Sequence, residues 1–167
     1  MNILIVTKNN NYLGDVLEFI KETREEKYNA EEKVLYITME KPYATISLDM
    51  SSHGLMAENF FVIGPVSKSE ITEPDIHTNC IYLPKNDMAS DIPPIMDLLF
   101  SKFTFCSLVF DSLSAFTKTQ GNIGELIHTL LRKRQDNVCC IFICKNSDLE
   151  EEWMSGIKQA FDKIVTI

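Results

Sequence analysis

The residue pattern that most limits the fold of this chain is an alternation repeated almost from end to end. Short runs that are apolar on both faces, Asn2–Thr7, Lys33–Met39, Ser107–Asp111 and Val138–Cys144, are separated by stretches whose apolar residues recur at helical spacing. A strand apolar on both faces must be covered on both. That condition is met in a mainly parallel sheet with helices on its two sides. The expected fold class is therefore α/β, a three-layer sandwich. Three weaker strands complete the pattern: Asn59–Ile63, Cys80–Leu83 and Lys163–Ile167.

The intervening stretches read as helices. Leu13, Val16, Leu17 and Ile20 form one apolar stripe, and Ile123, Leu126, Ile127, Leu130 and Leu131 another. Asn122 stands where a cap belongs, with Glu125 three residues on. Pro42 predicts a helix that runs to His53 and closes at Gly54. Ser90, Asp91 and the pair Pro93–Pro94 predict the entrance of a helix over Ile92–Leu99. Leu149, Trp153, Ile157 and Phe161 mark a last helix face, and Gly64–His77 reads as a long surface loop. With 167 residues and no Gly/Ser linker, repeat or low-complexity run, a single domain over 1–167 is expected.

Charge and cysteine usage narrow the partners. A net charge of −8 repels phosphate backbones, so nucleic acid is not expected. The one basic cluster, Arg132-Lys133-Arg134, falls at a predicted helix C-terminus and suits its dipole. No apolar run approaches the roughly 20 residues that span a bilayer, and MNILIVTKNN lacks the parts of a signal peptide. Membrane insertion is not expected, and a cytoplasmic location is. The five cysteines are odd in number and include no C-x-x-C. Three lie in NVCCIFICK, where they read as reduced core thiols.

Ligands of parallel sheets bind beyond the carboxyl ends of the strands. The positions of interest are thus Lys8–Asn11, Glu40 and Lys41, Asp111–Ser114, and Lys145–Ser147. FCSLVFDSLSAF delivers the carboxylate of Asp111 at a strand end, followed by a Ser-Leu-Ser turn. A carboxylate so placed can hold the water shell of Mg²⁺. It can equally accept hydrogen bonds from Ser112, Ser114 or the backbone of the turn. His53, His77 and His128 have no mutual spacing that suggests a metal site.

These pieces, in this order, resemble the KaiC-like ATPases of the RecA superfamily. KVLYITMEKPYATISLDMSSHGL is similar to that family's second strand and helix, and ENFFVIGPVSK to its short third strand. CSLVFDSLSAF is similar to its Walker B strand, NVCCIFICK to its next core strand and FDKIVTI to its closing strand. The resemblance spans Asn2 to Ile167 and implies a RecA-like P-loop NTPase topology. It matches Glu40 to the glutamate that activates attacking water and Asp111 to the metal-linked aspartate; these are remnants rather than assigned catalytic residues. The family's G-x-x-x-x-G-K-[ST] loop should follow ILIVT, where this chain has KNNNYLGD. Lys8, Asn9, Asn10, Asn11 and Ser112 are the groups left to touch a nucleotide, without the lysine and hydroxyl of a phosphate cradle. The loop is degenerate, and no cofactor is expected. The same departure marks an archaeal group of small KaiC-like domains and related sensory domains.

The resemblance therefore implies a non-catalytic domain with a regulatory, signalling or protein-interaction role, acting through a protein partner or self-association. Two alternatives stay open. One is an ATPase with an unconventional phosphate site built from Lys8, Glu40, Asp111 and Lys145, which would bring ATP and Mg²⁺. The other is a small-molecule sensor whose crevice is lined by Tyr43, Phe60, Phe61 and Phe116.

Overall fold

The computed structural model describes residues 1–8, 12–25, 32–66, 79–84, 87–120 and 122–167. Seven strands, β1 (Asn2–Thr7), β2 (Lys33–Thr38), β3 (Phe60–Val66), β4 (Cys80–Pro84), β5 (Phe105–Asp111), β6 (Cys139–Lys145) and β7 (Lys163–Thr166), form one sheet in the order β4-β3-β2-β5-β6-β1-β7. Every strand pair is parallel. The helices are α1 (Leu13–Glu25), α2 (Tyr43–Ser52), α3 (Met88–Lys102), α4 (Leu113–Gln120), α5 (Ile123–Lys133) and α6 (Glu152–Ile157).

Strand side chains alternate between two cores. Ile3, Ile5, Val34, Tyr36, Val109 and Ile141 meet α1 and α2 on one face. Leu4, Leu35, Leu108, Phe110, Cys140 and Phe142 meet α3, α4, α5 and α6 on the other. The neighbours Cys139 and Cys140 fall into opposite cores, and all five cysteines are buried and outside any disulfide. Burial pushes the Cys144 thiol up to about 12 and the Cys80 thiol up to about 11. Both therefore stay protonated and inert at ordinary pH.

Three elements depart from the sequence expectation. Helix α3 begins at Met88, so Pro93 and Pro94 lie inside it rather than at its entrance. The buried stripe Met88, Ile92, Met96 and Leu99 draws in the extra turn despite the two prolines, of which Pro94 is exposed. The Ser-Leu-Ser segment is no free turn: Phe116 N–H donates to Ser112 O, and Leu113 opens α4. The last helix is broken into a 3₁₀ turn over Asn146–Glu150, α6 and a second 3₁₀ turn over Lys158–Ala160. Strand β3 also continues into the expected loop. Pro65 fits there because β2 pairs with β3 only as far as Ile63, leaving β4 as the sole neighbour. The rest of that loop, 67–78, lies outside the described residues, and His77 with it.

The strand order positions the site. Strands β5 and β6 insert between β2 and β1, so the chain reverses direction across the sheet beside β2. The carboxyl ends of β2, β5, β6 and β1 consequently stand side by side, bringing Thr38–Lys41, Asp111, Lys145 and Lys8 to one edge. Among the described residues no helix is long and apolar enough to cross a membrane.

Candidate functional site

Asp111 ends β5, is buried to 2% exposure and lies opposite Thr38 in the β2–β5 register. Tyr36, two residues back along β2, projects from the same face as Thr38. Its hydroxyl reaches forward to donate to Asp111 Oδ2 at 2.8 Å. Beyond β2 the chain turns sharply, with Lys41 N–H donating to Thr38 Oγ1 at 3.0 Å. That turn brings the Lys41 ammonium to 2.8 Å from Asp111 Oδ2. Tyr12 immediately precedes α1 and is buried; its hydroxyl donates to Asp111 Oδ1 at 2.5 Å.

Lys41 closes the cluster by also donating to Tyr12 Oη at 2.6 Å, with its Nζ 4.0 Å from the Tyr12 ring centroid. One carboxylate thus receives three donors, one of them a full positive charge. Burial pushes the phenols of Tyr12 and Tyr36 well above their usual range, and the Asp111 charge pushes them further. Both remain neutral donors. The cluster carries no net charge and satisfies its own buried polar atoms, the condition under which a buried ion pair is tolerated.

The positions expected from sequence divide accordingly. Asp111 is central, but its side chain takes its hydrogen bonds from Tyr12, Tyr36 and Lys41 rather than from the turn after it. Ser112 is buried and turned to local work: its Oγ accepts Ala115 N–H at 3.3 Å and lies 3.4 Å from Ser114 Oγ. Glu40 is exposed, and its charge contributes the least of the effects that raise the Tyr12 phenol. Lys8 is exposed just past β1, its N–H donating to Ile167 O. Lys145 shares the edge but uses its backbone N–H on Asp148. Asn9, Asn10 and Asn11 lie outside the described residues. Phe60 and Phe61 face opposite cores, so they do not line one crevice with Tyr43 and Phe116. Among the described residues no three His, Cys, Asp or Glu side chains gather where they could hold a metal ion.

Sequence reasoning marks Lys41 at the strand ends without pairing it to Asp111, and it passes over Tyr12 and Tyr36. A signal existed for one of them: a tyrosine in a strand buried on both faces must find a partner for its hydroxyl. The β2–β5 register is what names that partner.

No family model matches the sequence, and no curated protein matches it. Solved structures do. The flagellar accessory protein FlaH from Methanocaldococcus jannaschii superposes with a TM-score of 0.56 at 14% identity, over 99% of this chain and 70% of its own. A KaiC-like protein from the hyperthermophilic archaeon Pyrococcus horikoshii OT3 superposes with a TM-score of 0.60 at 13% identity, over 99% of this chain and 69% of its own. The chain shares the α/β fold of these two archaeal proteins.

Proposed function

We propose that this is a non-catalytic RecA/KaiC-like domain that works through protein contacts, in regulation or signalling, rather than by turning over a nucleotide. The observation that carries this reading is the closed state of Asp111. A carboxylate that holds the shell of Mg²⁺ needs free lone pairs facing the metal. Here three donors take up Asp111, and one of them is an ammonium 2.8 Å from Oδ2. A divalent cation drawn alongside would meet that fixed positive charge and a repulsion on the order of several kcal/mol. Tyr12, just before α1, turns its side chain onto Asp111 and Lys41 beside the start of the helix. The sequence after β1, KNNNY, offers neither the glycines nor the lysine of a phosphate cradle. The residues present do not fit a Mg²⁺–nucleotide.

Leu48 on α2 and Met56 just after it are 71% and 63% exposed, which suits a surface that meets protein. Thermal unfolding with and without Mg²⁺-ATP tests the reading. A ligand at 100 times its Kd adds about 2.7 kcal/mol of stability, about 5 °C or more in a chain of this size. No shift is expected here. A rise of that size, removed by Asp111→Asn, overturns the proposal.

A further inference from the structure

The molecule holds a second buried carboxylate at the same sheet edge, and it is not closed. Asp148, in the 3₁₀ turn after β6, is 8% exposed. Its Oδ2 accepts Lys145 N–H at 2.7 Å; among the described residues Oδ1 receives no hydrogen bond and neither oxygen has a cation within salt-bridge distance. Burying a carboxylate with so few partners is costly. Asp148 lines a cleft of about 240 Å³ on the opposite face of the sheet from the Asp111 cluster, walled by Ser114, Thr117, Lys118, Glu151 and Trp153. Ser114 is 4% exposed, Trp153 is half-buried, and Glu151 lies on the rim, exposed.

We propose that this cleft binds a guanidinium group, presented by an arginine of a partner protein. Two carboxylates and an indole are complementary to a planar cation. The guanidinium donates in fixed directions to oxygens such as Asp148 Oδ1 and Glu151, and it stacks on aromatic rings better than an ammonium does. A hard metal ion is a poor match, because the cleft offers two carboxylates and an apolar wall instead of a cage of oxygens. An anion meets two negative groups against the single Lys118. An arginine within a peptide also carries backbone carbonyls, which Lys118 can reach as a donor; a free alkylguanidinium does not. The proposal is independent of the Asp111 reading: Mg²⁺-ATP binding at that cluster would leave the cleft unchanged.

Trp153 is the only tryptophan in the chain, so its fluorescence reports on this cleft alone. The full protein is titrated with a capped Gly-Arg-Gly peptide, with the same peptide carrying neutral citrulline, and with butylguanidinium, all at constant ionic strength. The arginine peptide should change Trp153 emission saturably and the citrulline peptide should not. Asp148→Asn should weaken the arginine peptide about tenfold or more, the effect of losing one charge-assisted hydrogen bond. Glu151→Gln, at an exposed position that does not threaten folding, should weaken it in the same direction. Equal responses to arginine and citrulline, or folded variants that bind as the native protein does, overturn the site. Binding of the peptide more tightly than butylguanidinium supports a partner's arginine; equal binding overturns that assignment in favour of a free alkylguanidine.

Discussion

Tyr12 and Tyr36 make the Asp111 cluster sensitive to alkali, and the sign follows from linkage. Their phenol pKa values are raised on folding, burial first and the Asp111 carboxylate second. A raised pKa means the folded state holds its proton where the unfolded chain releases it. The stabilisation is therefore complete below the unfolded value of about 10 and is lost as pH rises above it. Two such phenols remove about 3 kcal/mol by about pH 11, each losing about 1.4 kcal/mol per pH unit beyond its unfolded pKa. Urea unfolding at stepped pH should show this fall, with phenolate absorbance from these two tyrosines appearing only as structure is lost. Tyr36→Phe removes one of the two, so its stability should fall with about half the slope. An unchanged slope means that the buried hydroxyl is not where the structure puts it. At neutral pH the same variant leaves Asp111 with the donors Lys41 and Tyr12, so it should lose only about 1.5–3 kcal/mol, as for one hydrogen bond to a charged group.

At the scale of elements, helix α5 is the clearest case of sequence writing structure. Asn122 Oδ1 accepts Glu125 N–H at 3.2 Å, and Ile123, Leu126, Ile127 and Leu130 are buried as their spacing requires. Asn122→Ala should cost about 1 kcal/mol by urea denaturation with an unchanged m-value, and Asn122→Ser much less. The strands were equally legible, because a run such as Cys140–Cys144 with no polar face has no other place to sit. Helix α3 was less so: Pro93 and Pro94 are local signals, and the burial of Met88 and Ile92 overrode them. The Asp111 cluster was the least legible. Tyr12, Tyr36 and Lys41 lie 99, 75 and 70 residues from Asp111. Only the strand order and the β2–β5 register bring them together. No sequence signal singled out Asp148. Its burial arises from the 3₁₀ turn that replaces the expected continuous helix.

At the scale of the whole molecule, strand β1 has no partner from its own half of the chain. It pairs with β6 through Asn2↔Cys140 to Thr7↔Lys145, and with β7 through Ile3↔Lys163 to Val6↔Thr166. Its side chains Ile3 to Val6 are all at or below 1% exposure, so they depend on neighbours on both edges as well as on the covering helices. The β2–β3–β4 block reaches β1 only through β5 and β6. Loop closure over more than a hundred residues must therefore precede the pairing of the first strand, which favours slow folding of the sheet as one unit. A fragment of residues 1–137 keeps five strands but lacks both partners of β1 and the outer partner of β5. It exposes Ile3–Val6 along with the β5 edge, and such unpaired apolar edges associate rather than stay native. The fragment should show no cooperative urea transition by circular dichroism and no dispersed amide resonances, whereas the full chain unfolds in one transition. A cooperatively folded 1–137 fragment would mean that β2–β5 form a self-sufficient unit and that the closing strands are an addition to it. On the sheet order observed, β1 and β6 instead complete one sheet from opposite ends of the chain.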